Sequence, residues 1–154
     1  MGRVGLQRLE FLIEALNTDL ALGGNASLVG YKNVVTNITA AKVVTVEESG
    51  KIFTIDQDAA FTITLPSDKA GLHYTFILTD AGSNDVKIDG GSSNAMKGWA
   101  FDPTTGINAV DNNMVKFASG TAIIGDKIHL ENDGTSWLVA AWSGATNGIV
   151  GSNS

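Results

Sequence analysis

Residues 125–142, GDKIHLENDGTSWLVAAW, constrain the fold of this chain more than any other stretch. Apolar and polar side chains alternate from residue 127 to 131. In the second run, residues 137–142, Trp137, Val139 and Ala141 alternate with Leu138, Ala140 and Trp142. A period of two is typical of β-strands that bury one face. Asn132-Asp133-Gly134 lies between the two runs, and Asp-Gly favours a tight turn because both residue types tolerate positive φ. The stretch is therefore predicted to form a β-hairpin.

The amide and carboxylate groups of Asn132 and Asp133 also allow a second interpretation, a cation site. A calcium loop needs oxygen ligands at alternate positions, a glycine at the sixth position and a glutamate at the twelfth. Residues 125–142 do not supply that register. We therefore interpret the centre of this stretch as a turn.

The same period of two recurs along the chain from residue 41. Residues 61–65 alternate Phe, Ile and Leu with threonine before Pro66, and residues 72–78 repeat the pattern. Turn signals separate the runs at Ser49-Gly50, Gln57-Asp58, Lys69-Ala70-Gly71 and Ala81-Gly82-Ser83-Asn84. Many short strands joined by such turns predict a mainly β domain over residues 41–143, an antiparallel sandwich or barrel.

The first 24 residues follow a helical period instead. Apolar side chains in residues 5–22 are spaced by three and four positions, which is typical of an amphipathic α-helix. Gly23-Gly24 would end this helix. The apolar stripe consists of Leu6, Leu9, Leu12, Ile13, Leu16 and Leu20.

The predicted helix must bury its leucine stripe, because two heptads alone are marginal in water. One interpretation packs the stripe on the chain's own β-domain. The other makes residues 1–24 an arm that packs on another chain. Residues 25–40 are predicted to be a connector, and residues 144–154 a flexible C-terminal tail.

Composition limits the possible functions of the 154 residues. Hydrophobic residues make up 44% and charged residues 17%, which is typical of a globular chain. The net charge of −6 argues against nucleic acid as a partner. The chain has no cysteine, so it can form neither disulfides nor thiolate metal sites. No apolar run reaches the roughly 20 residues that span a membrane, and Glu10 and Glu14 interrupt any signal-peptide core.

Motifs for catalysis or cofactor binding are incomplete in this sequence. Residues 120–127, GTAIIGDK, resemble a phosphate loop, but Asp126 occupies the position that requires lysine. His73 and His129 could begin a metal site with Glu131 or Asp126, or they could be solvated surface residues. Catalytic zinc would need three ligands and an open position. We therefore expect no enzyme, no catalytic residue, no metal and no cofactor.

Residues 90–113 form a Gly-, Ser- and Asn-rich segment that is expected to be a long loop. Long loops in compact domains are often functional. This one contains Met96, Trp99 and Phe101, which suit either of two roles. They could close one end of the barrel, or they could form a contact patch for a partner.

Two stretches of the chain carry a family resemblance. These are ESGKIFTIDQDAAFTITLPSDKAGLHYTFILTDAG (residues 48–82) and GTAIIGDKIHLENDGTSWLVAAWSG (residues 120–144). The shared pattern is Ser-Gly-Lys before an apolar strand, TITLP, Ala-Gly-Leu before an aromatic strand, and a closing Asp-Gly-Thr-x-Trp hairpin. Over about residues 44–144 the chain resembles small virion structural proteins of tailed bacteriophages, especially marine phages.

The resemblance implies a non-enzymatic capsid decoration (cement) protein or a related head protein, often a trimer on the outer shell. The implied partners are the major capsid protein and further copies of this chain. The implied location is the virion surface, after assembly in the host bacterial cytoplasm. The main alternative is a fibre or spike tip that binds host-surface glycan through Trp99 and Phe101, and a free hydrolase is a third possibility.

Overall fold

The computed structural model describes residues 30, 32–91 and 95–153. The chain divides into two compact units, residues 1–32 and 33–154, and all twelve strands that the structure describes lie in the second. These strands form a mainly β fold of two mixed sheets. The helix predicted for residues 5–22, with its leucine stripe, lies outside the described residues.

The larger sheet has seven strands. In spatial order they are β1 (Val35–Ile38), β3 (Ile52–Asp56), β5 (His73–Asp80), β10 (Lys127–Asn132), β11 (Trp137–Trp142), β7 (Met96–Asp102) and β8 (Gly106–Asn112).

The smaller sheet has five strands. Their spatial order is β12 (Ile149–Ser152), β9 (Met114–Phe117), β6 (Val86–Asp89), β4 (Phe61–Thr64) and β2 (Lys42–Val43). A short 3-10 helix, Val46–Glu48, follows β2.

The first six strands alternate between the two sheets. In the larger sheet β1, β3 and β5 are parallel, and in the smaller sheet β2, β4 and β6 are parallel. Each connection therefore crosses to the other sheet instead of folding back as a hairpin. The prediction of an antiparallel sandwich is wrong in this respect, because period-two alternation is the same in parallel and antiparallel strands.

The later strands contain the antiparallel pairs. β5, β10 and β11 are antiparallel neighbours, as are β6, β9 and β12. The hairpin predicted at residues 125–142 is confirmed, with Asn132 paired to Trp137. At its tip Gly134 has a φ of 100°, and the Asp133 carboxylate accepts the backbone N–H groups of Thr135 and Ser136 at 2.8 Å.

One hydrophobic core lies between the sheets. The rings of Phe53 and Phe76 stack with their centroids 5.3 Å apart, and the ring centroids of Tyr74 and Trp137 are 5.6 Å apart. The smaller sheet contributes residues such as Ile63. Both sheets thus bury alternate side chains in a shared core, which is the arrangement of a β-sandwich.

Two predicted boundaries are corrected by the strands at the ends of the domain. β1 lies inside the predicted connector, residues 25–40, and pairs with β3. β12 lies inside the predicted flexible tail, residues 144–154, where Ile149 is 1% exposed in the core. Both strands have four residues, too few for alternation to distinguish them from polar loop sequence.

Candidate functional site

The outer face of the larger sheet carries a group of large apolar side chains. Strand pairing places Trp142 of β11 beside Phe101 of β7, and Phe101 beside Ile107 of β8. Trp99 lies two residues before Phe101 on the same face of β7. We call Trp99, Phe101, Ile107 and Trp142 the aromatic patch.

Much of the aromatic patch is exposed to solvent. Phe101 is 43% exposed, Trp142 45% and Ile107 73%. Trp99 is half-buried, and its ring meets that of Trp142 edge to face at 5.3 Å. The four side chains line an open depression of about 320 Å³. Such exposed apolar groups are typical of contact sites in soluble proteins.

A second depression, of about 330 Å³, lies on the other side of Trp99. Its lining includes Lys97, His129 and Glu131, and we call it the polar depression. His129 Nε2 lies 3.2 Å from Glu131 Oε1, and His129 Nδ1 lies 2.9 Å from the Thr75 hydroxyl. These contacts fix the imidazole between two polar neighbours.

Small residues make room on both sides of Trp99. Ala140 of β11 and Ala109 of β8 are its direct neighbours across the sheet. Gly98 has a φ of +147°, and a Cβ there would overlap the carbonyl oxygen of Val139. Only glycine allows β7 to approach β11 this closely at that φ.

The turn that joins β7 to β8 is held by a buried carboxylate. Asp102 Oδ1 accepts the backbone N–H groups of Thr104 and Thr105, and Oδ2 accepts the Thr105 hydroxyl and the Asn108 amide, the latter at 2.9 Å. The Thr105 hydroxyl and backbone N–H hold the pKa of Asp102 well below its usual range. The carboxylate therefore stabilises the hairpin that carries Phe101 and Ile107.

A second buried carboxylate orders the loops that follow Trp142. Asp126 is 1% exposed and accepts hydrogen bonds from the Ser143 hydroxyl at 2.9 Å and the Gly144 N–H at 2.8 Å. It also accepts the backbone N–H of Ile123 at 3.1 Å. Asp126 thus has a structural role at the position where a phosphate loop would need lysine.

The three residues predicted for a contact patch separate in the structure. Met96 is fully buried in the core, whereas Trp99 and Phe101 lie on the outer face of β7. The prediction of a long loop over residues 90–113 is wrong, since β7 and β8 form an antiparallel pair there. The many glycines and asparagines of this segment are typical of loops, so the two strands were not predicted.

Sequence reasoning missed two members of the aromatic patch. Trp142 is exposed whereas Trp137 and Ala141 are buried, and because all residues of 137–142 are apolar, the sequence did not show which face of the strand is outward. Ile107 follows the turn residues Pro103-Thr104-Thr105-Gly106, and nothing in the sequence marked it as a neighbour of Phe101. The leucine stripe Leu6, Leu9, Leu12, Ile13, Leu16 and Leu20 lies outside the described residues.

Of the candidate metal ligands, His129 and Glu131 lie together, with 3.2 Å between Nε2 and Oε1, but no third His, Asp or Glu of the described residues joins them within 4.8 Å. Within residues 32–91 and 95–153, one group of three possible ligands lies within 4.8 Å, namely Asp56, Asp58 and Asp80. Neither His73 nor His129 belongs to it. Asp56 accepts the backbone N–H of Asp58 at 3.0 Å, so part of this cluster is explained by a turn.

Comparison with models of known protein families and with curated proteins finds no match for this chain. In the part of the chain that the structure describes, no helix is long and apolar enough to cross a membrane. The aromatic patch and the polar depression are therefore interpreted from their own geometry.

Proposed function

We propose that this chain is a non-enzymatic structural protein of a phage virion, a capsid decoration protein that binds and stabilises the outer shell. The observation that supports the proposal is a β-sandwich with one shared core among the described residues, from Ile38 to Ile149. In this proposal the predicted leucine stripe serves another chain. The sequence resemblance over residues 44–144 supports the same proposal.

In this proposal the two parts of the chain have different roles. The predicted N-terminal helix is the anchor, which buries its leucine stripe against the major capsid protein or a neighbouring subunit. The β-sandwich is the knob on the outside of the shell. Association as a homotrimer would let modest contacts act together, because linked binding events raise the overall affinity.

A fibre or spike tip is the second candidate. The observation that favours it is the aromatic patch beside the polar depression, a combination that suits a host-surface glycan. Copy number separates the two candidates. Hundreds of copies per particle fit a decoration protein, whereas a dozen or fewer fit a fibre.

The leucine stripe gives a direct test of the anchor. Leu9→Asp with Leu16→Asp places two carboxylates on the apolar stripe, and burying an unpaired carboxylate costs several kcal/mol. We expect the double variant to fold normally by circular dichroism. It should lose attachment to undecorated capsids, and those particles should rupture at a lower temperature.

The matched control places the same charges away from the stripe. Gln7→Asp with Thr18→Asp adds two carboxylates on the predicted side of the helix opposite the stripe, so it should decorate capsids like the parent. Unchanged occupancy of the Leu9→Asp, Leu16→Asp variant would show that the stripe is not the anchor. Equal loss in both variants would point to added charge, not to the apolar contact.

A further inference from the structure

We infer that the outer face of the larger sheet binds a neutral oligosaccharide, which lies across Trp99 and occupies both depressions. This inference rests on the glycan-binding role proposed above for the fibre-tip candidate and specifies its ligand as neutral. Its observations are the aromatic patch and the polar depression, and they hold equally for a decoration protein.

The aromatic patch supplies the stacking half of the site. Ligand sites in proteins are concave, mostly apolar and fixed by a few polar groups. A pyranose ring has an apolar C–H face, and the exposed rings of Phe101 and Trp142 offer matching surfaces. Ile107 closes the depression on the β8 side. Trp99 forms the ridge between this depression and the next.

The polar depression supplies the hydrogen-bonding half of the site. Lys97 offers a donor and Glu131 an acceptor. His129, the register partner of Ala140, contacts Glu131 at 3.2 Å. Sugar hydroxyls both donate and accept hydrogen bonds, so a mixed set of this kind suits them. One sugar residue stacks beside Trp99 while the next meets these polar groups.

The local charges favour a neutral ligand over a polyanion. Lys97 lies opposite Asp111 across β7 and β8. Lys127 Nζ lies 5.9 Å from the ring centroid of Trp142. The whole chain carries a net charge of −6. Single-stranded nucleic acid also stacks on aromatic rings, but it requires a positively charged groove.

The size of the aromatic patch argues against a stable protein interface at this face alone. A fully buried aromatic side chain covers about 150–250 Å². The partly exposed side chains of the patch therefore offer roughly 400 Å², about half of the ~800 Å² that each partner buries in a typical stable complex. An oligosaccharide of a few sugars needs no more than this area.

The strands preorganise the site for a rigid ligand. Trp99 is held between Ala140 and Ala109 by strand pairing on both sides, and it contacts the edge of Trp142. Rings on the interior strands of a sheet lose little conformational freedom on binding. Binding should therefore alter the environment of the indoles without changing the fold.

The test uses the full chain and neutral hexasaccharides of defined linkage: cellohexaose, laminarihexaose, chitohexaose, mannohexaose and a galactan hexamer. We expect saturable binding of at least one, seen both as a change in tryptophan fluorescence and by calorimetry. Trp99→Ala should weaken it at least tenfold and Glu131→Gln several-fold. Val43→Ala, an exposed apolar residue on β2, is the matched control and should bind like the parent. A polygalacturonate hexamer, as the acidic probe, should bind more weakly.

Several outcomes would overturn the inference. One is the absence of saturable binding of any neutral hexasaccharide at millimolar concentration, and another is equal binding by the parent and a folded Trp99→Ala variant. If Trp99→Ala is misfolded by circular dichroism, the exposed Phe101→Ala change carries the same test. If these variants instead reduce the oligomer size in sedimentation, the face is a protein interface. Capsid attachment by Trp99→Ala should be normal, so failure of this site is distinct from failure of the anchor.

Discussion

The outer face of the larger sheet differs between its two halves. On β3 and β5 most outward positions are polar, although Ile52 and Ile77 also face outward and are half-buried. Thr54, Thr75 and Thr79 are among the polar ones, and the Thr75 and Thr79 hydroxyls contact neighbouring groups of the sheet. On β7, β8 and β11 the corresponding positions carry the aromatic patch. Both halves share one core, so the contrast is confined to the outside.

This contrast shows what strand formation does and does not require. Threonine suits a half-exposed strand as well as larger apolar residues do, because its β-branched side chain fits the pleated surface. The threonine half shows that the strands of this sheet form with polar residues at most outward positions. Strand formation therefore does not require the aromatic patch, which is the basis for proposing a binding role.

The largest effect is expected at Gly98, where the two strands that carry most of the aromatic patch meet. Gly98→Ala adds a Cβ that overlaps the Val139 carbonyl oxygen at a φ of +147°. We expect a loss of about 3 kcal/mol or more in the free energy of unfolding, measured by urea denaturation. The total stability of a typical domain is about 5–15 kcal/mol, so the loss would be obvious.

Gly106→Ala is the matched control in the same hairpin. Gly106 has a φ of +81°, but a Cβ there would meet no atom within 4 Å. The substitution adds only the strain of an alanine at positive φ, which should lower the free energy of unfolding by about 1–2 kcal/mol. Equal losses at Gly98 and Gly106 would show that the close approach of β7 and β11 is not what holds the aromatic half.

The sequence predicted well which side chains of a strand face the core, but it predicted poorly which strands pair with one another. Alternation correctly separated the buried Ile128 and Leu130 from the more exposed residues between and beside them. The pairing of β1, β3 and β5 could not be predicted, because turn residues such as Gln57-Asp58 mark a change of direction but not the sheet that the chain enters next. Parallel order depends on contacts far apart in sequence.

Only part of the aromatic patch could be predicted from the sequence, because the patch depends on strand pairing. Trp99 and Phe101 were singled out by residue type alone, and Met96 was grouped with them because the segment lacks a clear period. Glycine at position 98 interrupts the alternation of β7 and hides that Met96 faces the core. Ile107 joins the patch only through the β7–β8 register, which the sequence does not encode locally.

An intermediate effect is expected from Asp102, which ties down the turn of the aromatic half. Its pKa is held below the ordinary value of 3.8 by the Thr105 hydroxyl and by backbone N–H groups. A carboxylate with a lowered folded pKa stabilises the protein fully above its unfolded pKa. That contribution is lost as the pH falls below about 4.

Asp102→Asn should remove this part of the pH dependence. When the pH is lowered from 6 to 3, the urea midpoint of the parent should decrease more than that of Asp102→Asn. At pH 6 the variant should be less stable than the parent. Other carboxylates with lowered pKa values, such as Asp85 beside Lys116, contribute equally to both proteins. An identical pH slope in the two proteins would show that the Asp102 network does not hold the turn in solution.

The smallest effect is expected when the aromatic half is made to resemble the threonine half. Phe101 and Ile107 are direct neighbours across β7 and β8, and both are exposed. Phe101→Thr with Ile107→Thr should change the free energy of unfolding by less than about 1 kcal/mol, because surface substitutions away from the core are usually small. Phe76→Thr, fully buried in the same sheet, should cost about 3 kcal/mol or more by comparison. A double variant that loses as much stability as Phe76→Thr would mean that the aromatic patch supports the fold. A double variant with parental stability but impaired oligosaccharide binding would separate folding from binding. Threonine would then support the strands as well as Phe101 and Ile107 do, but it would not bind the ligand.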